Sequence, residues 1–427
     1  MKRTLTNALW LMLERLSLSV SGIFVSIYVA RYLGPGQFGV LNYLLATIAV
    51  LVPLAQLGAD SVIFNRIARR PASGMHLMMA SIRLRRRVFL LGALPVLAWH
   101  VFSHNNTDVL ILLLMLASAY FSVQDVYKIY YDATLKSKRN TLINNSVLLL
   151  SIALRLMLVH AELSLAWFAI PYVVSSAIPY FLRRWMFHRE VRGRLAPVKG
   201  RKRQRYERHL FSVGLPLAVS SLSIVIYTRI DQIMLGGMLG EQSVGWYSAA
   251  LTLAQGWSFV PMAMITSLMS GIAGSRQAAE QEYRIRLLYV IVMALSLPAL
   301  LVFIYFPSQI INVLYGDEYL PAAGVLAVCS FTSLVSVLGT VSYRSIVLFS
   351  GYRFIAMKMP MVAVINILLN LLLIPRYGLM GAAVSTLSAE FMSVFVLNYF
   401  FQKGKITRLQ LTAFSCVPVF IRRLKTK

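Results

Sequence analysis

Acidic residues are scarce: the 427-residue chain holds 15 Asp and Glu against 42 Lys and Arg, and charged residues of both signs make up only 13% of it. A soluble globule needs roughly a quarter charged residues to cover its surface, so that class is excluded. Cysteine is almost missing. Cys329 and Cys416 stand alone without a CxxC partner, which leaves disulfides, zinc-thiolate sites and thiol catalysis unsupported. The histidines (His76, His100, His104, His160, His188, His209) show no HExxH or comparable spacing, and no GxxxxGK[ST] run occurs. A metal, a cofactor and a nucleotide energy source are therefore not expected.

What is present is apolar: hydrophobic residues make up 58% of the chain and the mean hydropathy is +0.69. This is the composition of an all-α polytopic membrane protein. A net charge of +27 could suggest nucleic acid, but a nucleic-acid binder gathers its basic residues on a folded polar surface. Here they fall in short loops between apolar runs, so the charge reports topology and no nucleic-acid partner is expected.

With about 20 residues per span, the sequence predicts twelve transmembrane helices. The first six are 7–31, 40–64, 86–104, 108–131, 141–161 and 164–182; the second six are 209–237, 244–270, 285–307, 321–349, 359–375 and 378–401. The first segment, interrupted by Glu14 and Arg15 and without a small-residue cleavage site, is expected to be a retained anchor. The segment Leu409 to Phe420 is too short to span and is expected to lie along the interface. Lys and Arg are retained on the cytoplasmic side during insertion. With the N-terminus placed there, the inner loops and tails hold 35 of the 42 Lys and Arg, and the outer loops hold Arg31 and Arg376. The domain plan is an N-terminal six-helix lobe (1–182), a basic cytoplasmic linker (183–208) with eleven Lys and Arg, a C-terminal six-helix lobe (209–401) and a basic tail (402–427). Both termini are expected in the cytoplasm.

The halves echo each other at an offset of 206 residues, which matches Leu33, Gly34 and Gly39 to Leu239, Gly240 and Gly245. A repeat of six spans starts each half on the same side, giving parallel repeats about an axis along the membrane normal.

Four stretches carry a family resemblance: Tyr32 to Gly39 (YLGPGQFG), Arg229 to Gly236 (RIDQIMLG), Leu314 to Tyr319 (LYGDEY) and Pro375 to Ala383 (PRYGLMGAA). In that order and spacing they resemble polysaccharide-biosynthesis flippases of the Wzx, O-antigen transporter type, within the multidrug/oligosaccharidyl-lipid/polysaccharide exporters. The resemblance implies two six-helix lobes around a central cavity that opens alternately to each side. It also implies an undecaprenyl-pyrophosphate-linked oligosaccharide as substrate, membrane lipids as partners and a bacterial inner membrane as location.

Ionisable groups deep in a span cost several kcal/mol unless paired or hydrated, which makes them the functional candidates. Asp60, Asp125, Lys128 and Arg344 sit near expected cytoplasmic ends, where snorkelling accounts for them. Glu14, Arg15, Arg155, Arg229, Asp231 and Glu390 lie deeper. Guanidinium groups hold phosphate oxygens in a two-pronged fork, so Arg15, Arg155 and Arg229 are the expected substrate contacts, with a structural ion pair as the alternative for each. Glu14, Asp231 and Glu390 are the candidates for a coupling ion, H+ or Na+. Tyr28, Tyr43, Tyr227, Trp246, Tyr247 and Trp257 could stack sugars or form an interfacial belt, and the belt is the favoured reading. Two rivals are a multidrug exporter, which would want an acid-rich lumen, and a membrane polymerase or ligase, disfavoured by the short outer loops.

Overall fold

The computed structural model describes residues 2–103, 106–191, 200–275, 277–416 and 418, and side chains from residue 21 onward except at 103, 106–108, 201–203 and 270. The described residues form helices joined by short turns and no strand. Eight helices are long and apolar enough to cross a membrane, or nine when the bent pair Glu241–Gly256 and Phe259–Ala273 counts as one span. The chain is a multi-pass membrane protein. It divides into two compact units, Met1–Ile233 and Met234–Lys427.

The N-terminal unit contains α1 (Lys2–Gln56), α2 (Ala59–Arg69), α3 (Pro71–Ser103), α4 (Asn106–Gln124), α5 (Tyr127–Ala133), α6 (Ser137–His160), α7 (Ile170–Glu190) and, through Ile233, α8 (Gly200–Leu239). Helix α1 is two helices meeting at Gly34, where φ is 71° and ψ 169°. Only glycine occupies that region readily, and Pro35 next to it removes the amide that would continue the ladder. Tyr32 fastens the break by donating its hydroxyl to the Leu163 carbonyl at 3.2 Å. At the far end of the second limb, Leu57 and Gly58 turn the chain into α2. This elbow rests on α8 so closely that a Cβ on Gly214 would stand 2.1 Å from the Leu57 carbonyl oxygen. Ile63 and Ile67 of α2, Tyr127 and Tyr131 of α5, Phe187 of α7 and Leu210 of α8 close an apolar cluster beside it.

The C-terminal unit contains the end of α8, α9 (Glu241–Gly256), α10 (Phe259–Ala273), α11 (Ala278–Tyr305), α12 (Pro307–Tyr315), α13 (Ala323–Leu348), α14 (Tyr352–Phe391) and α15 (Lys405–Leu411). Helix α13 is its centre and packs on α9, α11 and α14. In its most apolar stretch 61% of residues are buried, against 17% for α6, which leaves α6 mostly for lipid. Ala, Ser, Gly and Cys on α13 let the neighbours approach. Gly240 has φ 84° and ψ 169°, the conformation of Gly34, so the offset of 206 residues pairs two turns of the same backbone shape. Helix α14 breaks at Gly378 (φ 56°, ψ −130°) into two limbs. Beyond Phe391 the second limb continues as a π-helical turn, Met392–Val396, and a 3-10 turn, Leu397–Phe400.

The segment from Leu409, expected along the interface, contributes Leu409 and Ala413 to a core cluster with Leu288, Val292 and Val341, and Cys416 is buried. Of the six aromatic residues, most of which were expected in a belt, Tyr247 is instead fully buried, while Trp246 is half-buried and donates its indole N–H to the Glu318 carbonyl at 2.8 Å.

Candidate functional site

Helices α6, α7 and α8 bring two of the expected arginines around one ring. The Arg155 guanidinium lies over the Tyr172 ring, 4.7 Å from its centroid. Tyr172 is also within electrostatic range of Arg229, whose guanidinium donates to the Gln232 side-chain oxygen at 3.2 Å. Tyr172 is held in turn through its backbone carbonyl, which accepts hydroxyls from Ser118 at 2.8 Å and Ser176 at 3.1 Å. Arg155 is half-buried and Arg229 exposed, and neither forms an ion pair among the described residues. A cation without an acid is costly in a membrane unless it meets water, and both of these arginines are at least partly accessible. Asp231, two residues from Arg229, is buried, so the pair faces two environments as a 100° step per residue dictates. Arg15 and Glu14 lie on α1, with side chains outside the described residues.

The other deep charges of this unit are engaged. Arg85 pairs with Asp60 and donates to the Val123 carbonyl at 3.2 Å. Arg183 is buried between Asp125 and the Asn144 side chain. Arg139 meets Glu190 at 2.6 Å, Lys136 binds the same carboxylate, and Tyr130 donates to it at 3.2 Å. Arg85 and Arg183 were expected among the solvated basic residues of cytoplasmic loops, with Asp60 and Asp125 snorkelling. Instead each arginine reaches into the helix packing and neutralises one of those acids.

In the C-terminal unit Glu390 is buried on the second limb of α14. Facing it from the first limb is Lys358, 8% exposed, which donates to the Ser393 carbonyl at 2.9 Å and the Asn398 side-chain oxygen at 2.8 Å. Lys358 was expected in a cytoplasmic loop; a full extra turn and a half of helix carries it inside. Further along the same limb, Asn370 donates to Asn366 at 3.3 Å and Asn366 to the Thr386 hydroxyl at 3.4 Å. The spacing of Lys358, Asn366 and Asn370, eight and then four residues and so on one helix face, was the sequence signal for this polar stripe. Among the described residues no group of three or more His, Cys, Asp or Glu could hold a metal ion.

The family model described as "Polysaccharide biosynthesis protein" matches residues 4–269. The chain is 23% identical over 201 residues to the capsular polysaccharide biosynthesis protein CapF of Staphylococcus aureus, covering 46% of this chain and 50% of that protein. It spans about half the length of the curated relatives it matches. Among solved structures it is similar to an inward-facing multidrug resistance MATE family transporter of the MOP superfamily, with a TM-score of 0.69 and 14% identity over 95% of this chain and 99% of that one. It is also similar to the lipid II flippase MurJ in an inward closed conformation, with a TM-score of 0.67 and 15% identity over 96% of this chain and 92% of that one.

Proposed function

Because the chain belongs to the polysaccharide biosynthesis protein family, we propose that it is a flippase moving an undecaprenyl-pyrophosphate-linked oligosaccharide from the cytoplasmic to the periplasmic leaflet of a bacterial inner membrane. Twelve spans in two lobes, both termini cytoplasmic, would alternate access to a central cavity. The sugars cross in that hydrated space while the lipid tail stays in the bilayer.

The observation that carries the reading is the Arg155, Tyr172 and Arg229 cluster. Two guanidinium groups without an ion pair suit a pyrophosphate, which offers each of them two oxygens. Arg15 is the third expected contact, and Asp231, Glu390 and Glu14 remain the acids that could take a coupling ion. A cation-exporting lumen would need available acids, and Asp60, Asp125 and Glu190 are already occupied by basic partners. Purified protein in liposomes should transfer a fluorescent lipid-linked oligosaccharide from the outer to the inner leaflet with its covalent structure unchanged. Transfer no faster than in empty liposomes, or a lengthened glycan, would overturn the proposal.

A further inference from the structure

The C-terminal unit holds a buried polar assembly that anion binding leaves unused. Lys358 on the first limb of α14 reaches across to the π-helical turn of the second limb. A π-turn widens the helix and misaligns its carbonyls, so a donor from outside is needed there. The ammonium is that donor for Ser393, at 2.9 Å, and it also binds Asn398 at 2.8 Å. Asn398 passes the connection on, its amide donating to the Val394 carbonyl at 2.7 Å. Gln410 of α15 donates to the same carbonyl at 3.1 Å and to the Ser342 hydroxyl of α13 at 3.0 Å. Ser342 in turn lies 2.8 Å from the Tyr289 hydroxyl of α11. This series of bonds ends at a small pocket lined by Tyr289, Met293, Leu338, Phe395 and Gln410.

The titratable members are Lys358, Glu390 and Tyr289, and Glu390 is the charged group that faces Lys358. The nearby base of α15, Lys405, is turned elsewhere, over the Phe349 ring at 3.7 Å and 3.5 Å from Glu282. Room for the assembly comes from Gly339 of α13, where a Cβ would stand 2.8 Å from Val394 and 3.3 Å from the Glu390 carboxylate. A snorkelling lysine would reach outward to water; this one is turned inward and bonded at two points.

We propose that Lys358, facing Glu390 and connected through Asn398 and Gln410 to Tyr289, is a binding site for an exchangeable proton in the C-terminal unit. The ammonium holds the two limbs of α14 together by charge-assisted bonds to the π-turn; loss of its proton to water leaves a neutral amine, weakens those bonds and frees the second limb. The site is carried by the bonds of Lys358 to Ser393 and Asn398 and by those of Gln410 to Val394 and Ser342. Its purpose, driving transport with a proton gradient, rests on the flippase reading.

The test uses the full chain in liposomes with spin labels at Tyr352→Cys and Phe400→Cys, both exposed positions at the ends of the two limbs. Cys329 and Cys416 are replaced by Ala. Between about pH 6 and about pH 10, bracketing the usual lysine range, the label-to-label distance distribution should change through one titration. K358M should hold the high-pH distribution throughout, and K358R, which stays charged, the low-pH one. No pH response in the parent, or the same response in K358M, overturns the proposal. If a variant fails to insert, E390Q supplies the second reading, since removing the facing carboxylate should move the titration to lower pH; an unmoved titration also overturns it. A second arm loads the parent with lipid-linked oligosaccharide under an imposed pH gradient. A titration without glycan transfer defeats the flippase reading alone, whereas transfer at the same rate with and without the gradient defeats the coupling.

Discussion

Arg155 and Arg229 differ from the other deep arginines in what faces them. Arg183 has Asp125 and Asn144, and Arg85 has Asp60, while Arg155 has the face of Tyr172. Their substitutions should therefore fail in different ways. Asp125→Ala leaves the buried Arg183 uncompensated, at a cost of about 3 to 5 kcal/mol, and should lower the amount of inserted protein in membrane fractions. A joint Asp125→Leu, Arg183→Met replacement should recover most of it. Arg155→Ala and Arg229→Ala should accumulate normally and lose glycan transfer, with Lys restoring it only partly because the fork is gone. Tyr172→Phe keeps the platform and should retain transfer; Tyr172→Ala should not. The sequence marked Arg155 and Arg229 as deep but placed Arg85 and Arg183, which are buried, in loops, and it did not show which arginines had partners. Arg183 and Asp125 are 58 residues apart, and only the packing of α7 against α4 and α6 brings them together. Lys358 was misplaced for a related reason: a helix that begins at Tyr352 takes up a lysine that hydropathy assigns to the loop.

Three of the four stretches that carried the family resemblance hold a glycine turn, and the other, Arg229 to Gly236, lies within α8. Gly34, Gly316 and Gly378 each adopt positive φ within three of the four stretches, and Tyr315 and Tyr319 on either side of Gly316 are buried against each other with ring centroids 5.1 Å apart. These motifs were legible because glycine takes such positive-φ turns at the least cost, and for the same reason they report the fold more than the substrate. Gly34→Ala and Gly240→Ala should each destabilise by about 1 to 3 kcal/mol, read as a lower midpoint in thermal denaturation of the solubilised protein. Gly214→Ala places a methyl group against the Leu57 carbonyl and should cost about 1 to 3 kcal/mol as an overpacked crossing. Gly36→Ala, with open space around its Cβ position, is the control and should be near neutral. A bent span was the part of the fold that hydropathy could not resolve. The spans read from hydropathy already divide beside Gly34 and Gly378, where α1 and α14 break, but one span was read across the 43° bend between α9 and α10.

At the scale of the molecule the basic asymmetry gives the orientation a direct check. Reporter fusions at Gly193 and Lys427 should report cytoplasm, and fusions at Asn105, Glu241 and Asp317 periplasm. A periplasmic signal at Gly193 would invert the whole plan and place the Arg155, Arg229 cluster toward the wrong leaflet. The all-helical fold, shared with the MATE and MurJ structures, was legible in composition because the bilayer forces every backbone group into helices; loop charge, glycine position and the family resemblance laid out the rest of the plan. What composition could not reach was the Arg155, Tyr172 and Arg229 cluster, because it is made by three helices whose mutual rotation is set by packing. The most direct measurement is the rate at which a fluorescent pyrophosphate-linked oligosaccharide changes leaflets in liposomes bearing the parent protein or the Arg155→Ala, Arg229→Ala double variant at equal inserted amounts. The account predicts transfer by the parent and, for the double variant, the rate of empty liposomes. Equal transfer by both would contradict it and make these arginines part of the scaffold.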